Sequence, residues 1–138
     1  MKVGEIMTSE VLTINADDPV RAAAELVETR GLRRFPVLDS NGRLVGILTD
    51  RDLKNATASS IVLTEKRSHD LLLDSTRVET LMTADPKTVT PDTAVEEAAK
   101  MILDLKVGGL PVVDGGKLVG IVTETDLINA LLKLLISG

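Results

Sequence analysis

Two periods of apolar spacing follow one another along the chain, and the order in which they appear is used twice. Val3-Gly4-Glu5-Ile6-Met7-Thr8 predicts a helical turn, followed by a loop and a short strand at Val11-Leu12-Thr13-Ile14. Asp17 and Asp18 precede Pro19, and Val20, Ala23, Ala24 and Val27 recur at helical spacing. A helix from about Pro19 to Arg30 follows from that, with proline in its first turn and Gly31 past its end. Phe35-Pro36-Val37-Leu38 predicts a strand, Asp39-Ser40-Asn41-Gly42 a hairpin turn and Leu44 to Leu48 the paired strand, with a helix from Thr49 to about Ala56.

The second pass keeps this order: a turn of helix at Val78-Glu79-Thr80-Leu81-Met82-Thr83, a strand at Thr88-Val89 and a helix from Ala94 to Leu105. After these come a strand from Leu110 to Val113, a turn at Asp114-Gly115-Gly116, a strand from Lys117 to Val122 and a helix from Glu124. The offset is 75 residues from Met7/Met82 to Pro36/Pro111 and 74 at Gly46/Gly120, because the second hairpin is one residue shorter. A match across five elements points to duplication. The expected organisation is a first repeat at 1–56, a linker at 57–77 and a second repeat at 78–138. The linker carries Ile61-Val62-Leu63 and Leu71-Leu72-Leu73 among polar residues, enough for some apolar anchoring and one helical turn or two.

The most specific repeated stretch is Gly46-Ile47-Leu48-Thr49-Asp50-Arg51-Asp52-Leu53, which returns as Gly120-Ile121-Val122-Thr123-Glu124-Thr125-Asp126-Leu127. Each copy reads as a strand feeding a helix, and its glycine marks a close approach by another backbone or by a ligand. Threonine followed three residues later by an acid is a capping box, worth about 1 kcal/mol as a cap. Glu or Gln would serve that purpose at least as well, and both copies carry Asp. A short carboxylate beside a helix N-terminus also suits two vicinal hydroxyls, as on a ribose, while free N–H groups and a threonine hydroxyl favour phosphate. Both readings are open at this point.

Composition narrows what such a site can hold. Aromatic residues make up 1% of the chain, with Phe35 alone, so the core is aliphatic and a flat heterocycle would lie between aliphatic side chains. The chain contains no cysteine, which removes disulfides, thiolate nucleophiles and zinc-thiolate sites and suits a reducing cytoplasm. No apolar signal core follows Met1, and the apolar stretch Leu127 to Ile136, broken by Asn129 and Lys133, is too short to span a bilayer. A net charge of −5 argues against broad binding to nucleic acid phosphates. Ser68-His69-Asp70 holds the residue types of a hydrolase triad, but sequence neighbours cannot converge on one substrate atom, so His69 reads as an exposed linker residue. One histidine leaves a transition-metal site without ligands, and no paired carboxylates or glycine-rich phosphate loop suggest catalysis.

Two copies of strand-helix-strand-strand-helix resemble tandem CBS domains: Pro36-Val37 and Pro111-Val112 precede the hairpins, and glycine, two apolar residues, threonine, two variable residues and aspartate follow. The likeness covers nearly the whole chain outside the linker, and extends to bacterial stand-alone pairs of the acetoin-utilisation type. It implies a mixed α/β fold of the α+β kind, two pseudo-symmetric β-α-β-β-α repeats packed through their sheets. It also implies an adenine nucleotide or adenosyl compound (AMP, ADP, ATP or S-adenosylmethionine) in the cleft between the repeats, with no required cofactor and magnesium only through bound phosphates.

Carried over residue by residue, Asp52 and Asp126 match ribose-binding aspartates, and Thr49 and Thr123 phosphate-side threonines. The backbone at Phe35-Pro36 and Leu110-Pro111 would read the adenine edge, and Thr13-Ile14 and Thr88-Val89 would wall the base. Arg34 matches a phosphate-contacting position. The first repeat has Arg33, Arg34 and Arg51 where the second has Gly108, Gly109 and Thr125. A solvated surface pair is the other reading of Arg33 and Arg34.

Apolar stripes at Leu127, Ala130, Leu131, Leu134 and Leu135 and at Val95, Ala98, Ala99 and Ile102 read mostly as core, with some surface left for a twofold interface. The resemblance implies a homodimer through these helices. The expected protein is thus a non-enzymatic cytoplasmic sensor acting on an unidentified partner, without nucleic acid or membrane. The alternative is a structural or dimerisation scaffold whose Thr-x-x-Asp motifs only cap helices.

Overall fold

A computed structural model describes the backbone of residues 1–58 and 66–137 and the side chains of 1–56 and 71–137. Ile61-Val62-Leu63 and the side chains of Ser68, His69 and Asp70 lie outside the described residues. In chain order the elements are α1 (Val3–Ile6), β1 (Ile14–Asn15), α2 (Arg21–Arg30), β2 (Arg34–Leu38), β3 (Leu44–Thr49), α3 (Asp50–Ala58), α4 (Lys66–Ser75), α5 (Val78–Leu81), β4 (Thr83–Ala84), α6 (Val95–Leu105), β5 (Gly109–Asp114), β6 (Lys117–Thr123) and α7 (Glu124–Ser137).

Compactness divides the chain elsewhere than the repeats do. One unit is Leu12–Asp85 and the other combines Met1–Val11 with Pro86–Gly138. In the first, which we call the Phe35 unit, the strand order is β1-β2-β3-β4, with β1 parallel to β2 and the other pairs antiparallel. The second, the Leu110 unit, is built around the antiparallel pair β5-β6. Val89 bridges Val112 in parallel on one side of that pair, and Thr8 bridges Ile121 antiparallel on the other. The order Val89, β5, β6, Thr8 repeats that of β1 to β4.

Each unit is therefore completed by a segment from the start of the other repeat. In the Phe35 unit, Val20 donates its N–H to the Thr76 carbonyl (2.8 Å) and Val78 to the Asp18 carbonyl (2.9 Å). In the Leu110 unit, Val95 donates to the Met1 carbonyl (3.0 Å) and Val3 to the Thr93 carbonyl (2.8 Å). Val3 and Val78, which head α1 and α5, are fully buried, so these one-turn helices are held by packing and not by propensity.

Phe35, Val37 and Leu48 centre one core, and Leu110, Val112 and Val122 the other. Burial of each such side chain contributes about 1.5–3 kcal/mol. Gly31 ends α2 with φ 64°, and Lys106, at φ 55°, takes the same left-handed position after α6. In the hairpin after β2 the Asp39 carboxylate accepts the N–H groups of Asn41 and Arg43, both at 2.9 Å, and Gly42 supplies φ 79°.

Several expectations need correction. The strand expected at 11–14 is displaced to Ile14–Asn15, because it pairs only where it meets Val37 and Leu38. Thr88-Val89 makes a single bridge, not a strand. Strand β4 was not foreseen: two residues without periodicity become a strand only through pairing with Gly46 and Ile47. The linker supplies the ten-residue helix α4, whose Leu73 is buried and whose Asp74 pairs with Arg21 of α2. On α7, Ala130 is buried and Leu127 packs on the core, but Leu131, Leu134 and Leu135 are exposed. That helix offers one narrow inward face.

Candidate functional site

The strand-to-helix junctions form where β3 and β6 end. Thr49 pairs with Arg34 across the β2-β3 ladder, and the Asp50 N–H donates to the Arg33 carbonyl at 2.9 Å, which fixes where α3 begins. At the second junction Thr123 pairs with Gly109, and the Glu124 N–H donates to the Gly108 carbonyl at 3.0 Å. Each junction stays within one compact unit.

Both aspartates turn back onto their own junction. Asp52 Oδ2 accepts the Thr49 N–H at 2.9 Å, and Thr49 Oγ1 accepts the Asp52 N–H at 3.2 Å. Asp126 Oδ2 accepts the Thr123 N–H at 2.9 Å and the Thr123 hydroxyl at 3.2 Å, and Thr123 Oγ1 accepts the Asp126 N–H at 3.3 Å. The capping box is thus made twice. An aspartate is long enough to close it, so its length alone does not free the carboxylate for other work.

The outer oxygens differ. Oδ1 of Asp52 has no hydrogen-bond partner among the described residues, whereas Oδ1 of Asp126 accepts the Thr8 hydroxyl at 3.1 Å. Asp126 also lines a cavity of about 280 Å³ with Glu5, Asn129 and Lys133. Thr8 was missed as a site residue, although Ile6-Met7-Thr8 and Leu81-Met82-Thr83 repeat at the common offset. That repetition was the available signal.

The other expected residues divide by burial. Thr13 and Thr88 are exposed, each preceding the residue that bridges β2 or β5. Ile14, Phe35, Pro36, Val89, Leu110 and Pro111 are buried, so they can meet a ligand mainly through backbone atoms. The Pro111 carbonyl already accepts the Val89 N–H at 3.1 Å, leaving it one lone pair. In the Phe35 unit, Arg33, Arg34 and Arg51 come to the same sheet end as Thr49 and Asp52. Arg34 is half-buried and the other two exposed, and their side chains make no ion pair or hydrogen bond among the described residues. The Leu110 unit has no such cations at the matching positions.

Among the described residues no three His, Asp or Glu side chains converge as a metal site, and no helix is long and apolar enough to cross a membrane.

The CBS domain profile matches residues 3–59 and 78–133. The acetoin utilization protein AcuB from Vibrio cholerae is 31% identical, with 98% of this chain and 93% of that one covered and a TM-score of 0.79. CBSX2 from Arabidopsis thaliana, solved in complex with AMP, is 33% identical over 96% and 97% of the two chains, with a TM-score of 0.78. The CBS domain pair of MJ0100, solved with 5′-methylthioadenosine and S-adenosyl-L-methionine, is 25% identical over 96% and 97%, with a TM-score of 0.80. Two profile matches, a duplicated strand order and the paired Thr-x-x-Asp junctions agree. The chain belongs to the CBS domain family, with two CBS domains in tandem.

Proposed function

We propose that the protein is a non-enzymatic regulatory module that binds an adenine nucleotide or a related adenosyl compound through its two Thr-x-x-Asp junctions. One observation carries this reading: a strand-to-helix junction with threonine and aspartate occurs in each unit, and at the same sheet end as the first stand three arginines without partners among the described residues. The AMP held by CBSX2 and the adenosyl compounds held by MJ0100 supply the ligand class. Ribose hydroxyls donate to the aspartate oxygens, the threonine hydroxyl and helix N–H groups face a phosphate, and arginine adds charge. The ligand shifts the population of two arrangements by no more than its difference in affinity for them. An unidentified partner reads that shift. The exposed leucines of α7 join two copies as a homodimer, and the setting is the cytoplasm.

The doubled capping box favours a second reading, a scaffold in which both aspartates only hold helix ends. Thermal unfolding with AMP, ADP, ATP and S-adenosylmethionine separates the two. A ligand at one hundred times its Kd stabilises by about 2.7 kcal/mol per site, and the expected outcome is a raised Tm with at least one of the four. An unmoved Tm with all four leaves the scaffold.

A further inference from the structure

We propose that Thr8 is an internal competitor for the Asp126 carboxylate, so that the second junction takes a ligand only after the Thr8 hydroxyl withdraws. The inference rests on the adenosyl-binding reading above and adds an order of filling to it. Thr8 is held in place by its backbone: its N–H donates to the Ile121 carbonyl at 2.8 Å, and its carbonyl accepts the Ile121 N–H at 2.9 Å. From that position the hydroxyl donates to Asp126 Oδ1 at 3.1 Å. Oδ2 already accepts the Thr123 N–H and hydroxyl. Three of the four lone-pair sites of this carboxylate are therefore taken by the protein's own donors, and a ribose diol, which donates two hydrogen bonds, finds one acceptor site where it needs two until the Thr8 hydroxyl leaves.

The first junction shows the same device open. Thr83 pairs with Ile47 as Thr8 does with Ile121, yet its hydroxyl makes no hydrogen bond to Asp52 among the described residues. Asp52 Oδ1 has no hydrogen-bond partner among the described residues, at the sheet end that also carries Arg33, Arg34 and Arg51. Opening at Thr8 needs only rotation about χ1 of an exposed side chain, because its backbone bonds are unaffected by that rotation. The first junction consequently fills first, preferring phosphate-bearing ligands. The second fills later, and its affinity is reduced by the strength of one hydroxyl-to-carboxylate bond, about tenfold.

Calorimetric titration with AMP and with S-adenosylmethionine tests the order. In an Asp52→Asn background, which silences the first junction, Thr8→Val should raise the remaining affinity about tenfold. Valine keeps the β-branched shape and the backbone bridge but has no donor. Thr8→Ser should behave as its parent, Thr8→Ala should behave as Thr8→Val, and a further Asp126→Asn should abolish binding. If Thr8→Val and Thr8→Ala leave the affinity unchanged while Asp126→Asn still abolishes it, the competitor role is overturned and adenosyl binding stands. If no variant, nor the wild-type protein, binds either probe, both are overturned.

Discussion

Gly46 lies against the main chain at Thr83: a Cβ added to Gly46 would come within 2.9 Å of the Thr83 carbonyl oxygen and closer still to the Met82 sulfur. A Cβ added to Gly120 would likewise meet the start of the other repeat, 2.8 Å from the Thr8 carbonyl oxygen and 2.9 Å from the Met7 sulfur. Of the two causes expected for a glycine in these strands, backbone approach is the one realised. Gly46→Ala and Gly120→Ala should each lower stability by about 1–3 kcal/mol, since crowding against backbone outweighs the smaller stabilisation from the entropy that the unfolded chain loses. Urea unfolding measures this; an unchanged midpoint would mean that the exchanged segments yield freely.

The proposed function gives Asp52 a ligand contact beside its observed cap, and two substitutions separate them. Asp52→Ala removes the capping bonds and should lose about 1 kcal/mol of stability. Asp52→Glu keeps a carboxylate that reaches back to the Thr49 N–H, so stability should hold within about 0.5 kcal/mol, while nucleotide binding falls because the outer oxygen has moved. Equal loss of binding and stability across both variants would assign Asp52 to the cap alone.

Arg34 is half-buried and paired in register with Thr49, and under the proposed function it meets a ligand phosphate. Arg34→Ala should weaken ATP roughly three- to tenfold more than AMP. Competition titrations at fixed ionic strength give the ratio, and unchanged ATP/AMP selectivity removes the arginine from the site.

Leu135 and Ile136, 67% and 84% exposed, continue an apolar surface with Leu131 and Leu134 on α7. Such a surface is characteristic of an interface. Sedimentation velocity should find a dimer of the wild-type chain and a monomer of Leu135→Lys; a wild-type monomer at all concentrations would leave this face without the partner proposed for it.

Arg21 holds the Asp74 carboxyl below its ordinary value, chiefly by the hydrogen bond it donates and secondarily by its charge. A carboxyl lowered on folding stabilises fully above its unfolded value and loses that contribution as the pH falls through the lower, folded value. The difference in Tm between wild type and Asp74→Asn should therefore be constant above pH 3.8 and shrink below it. Because the pair is exposed the difference is small and should diminish with added salt.

Much of the fold was legible because it is local and repeated. Helical spacing at Val20, Ala23 and Val27 predicted α2, the Asp39-to-Gly42 turn predicted the first hairpin, and the 75-residue offset predicted the duplication. Turn chemistry and apolar period are properties of a few adjacent residues, so they survive without knowledge of the rest. Composition likewise determined the absence of thiol chemistry and the aliphatic character of both cores around Phe35 and Leu110. The tertiary structure alone decided which backbone covers which sheet edge. Thr83-Ala84 and Thr8 carry no strand pattern, and their pairing with Gly46 and Ile47 and with Ile121 arises only when distant strands offer unsatisfied N–H and C=O groups. It also decided that Asp126 receives a hydroxyl 118 residues away while Oδ1 of Asp52, in the same motif, has no hydrogen-bond partner among the described residues. A motif specifies which donors and acceptors exist; their occupancy depends on what folding brings within about 3 Å of them.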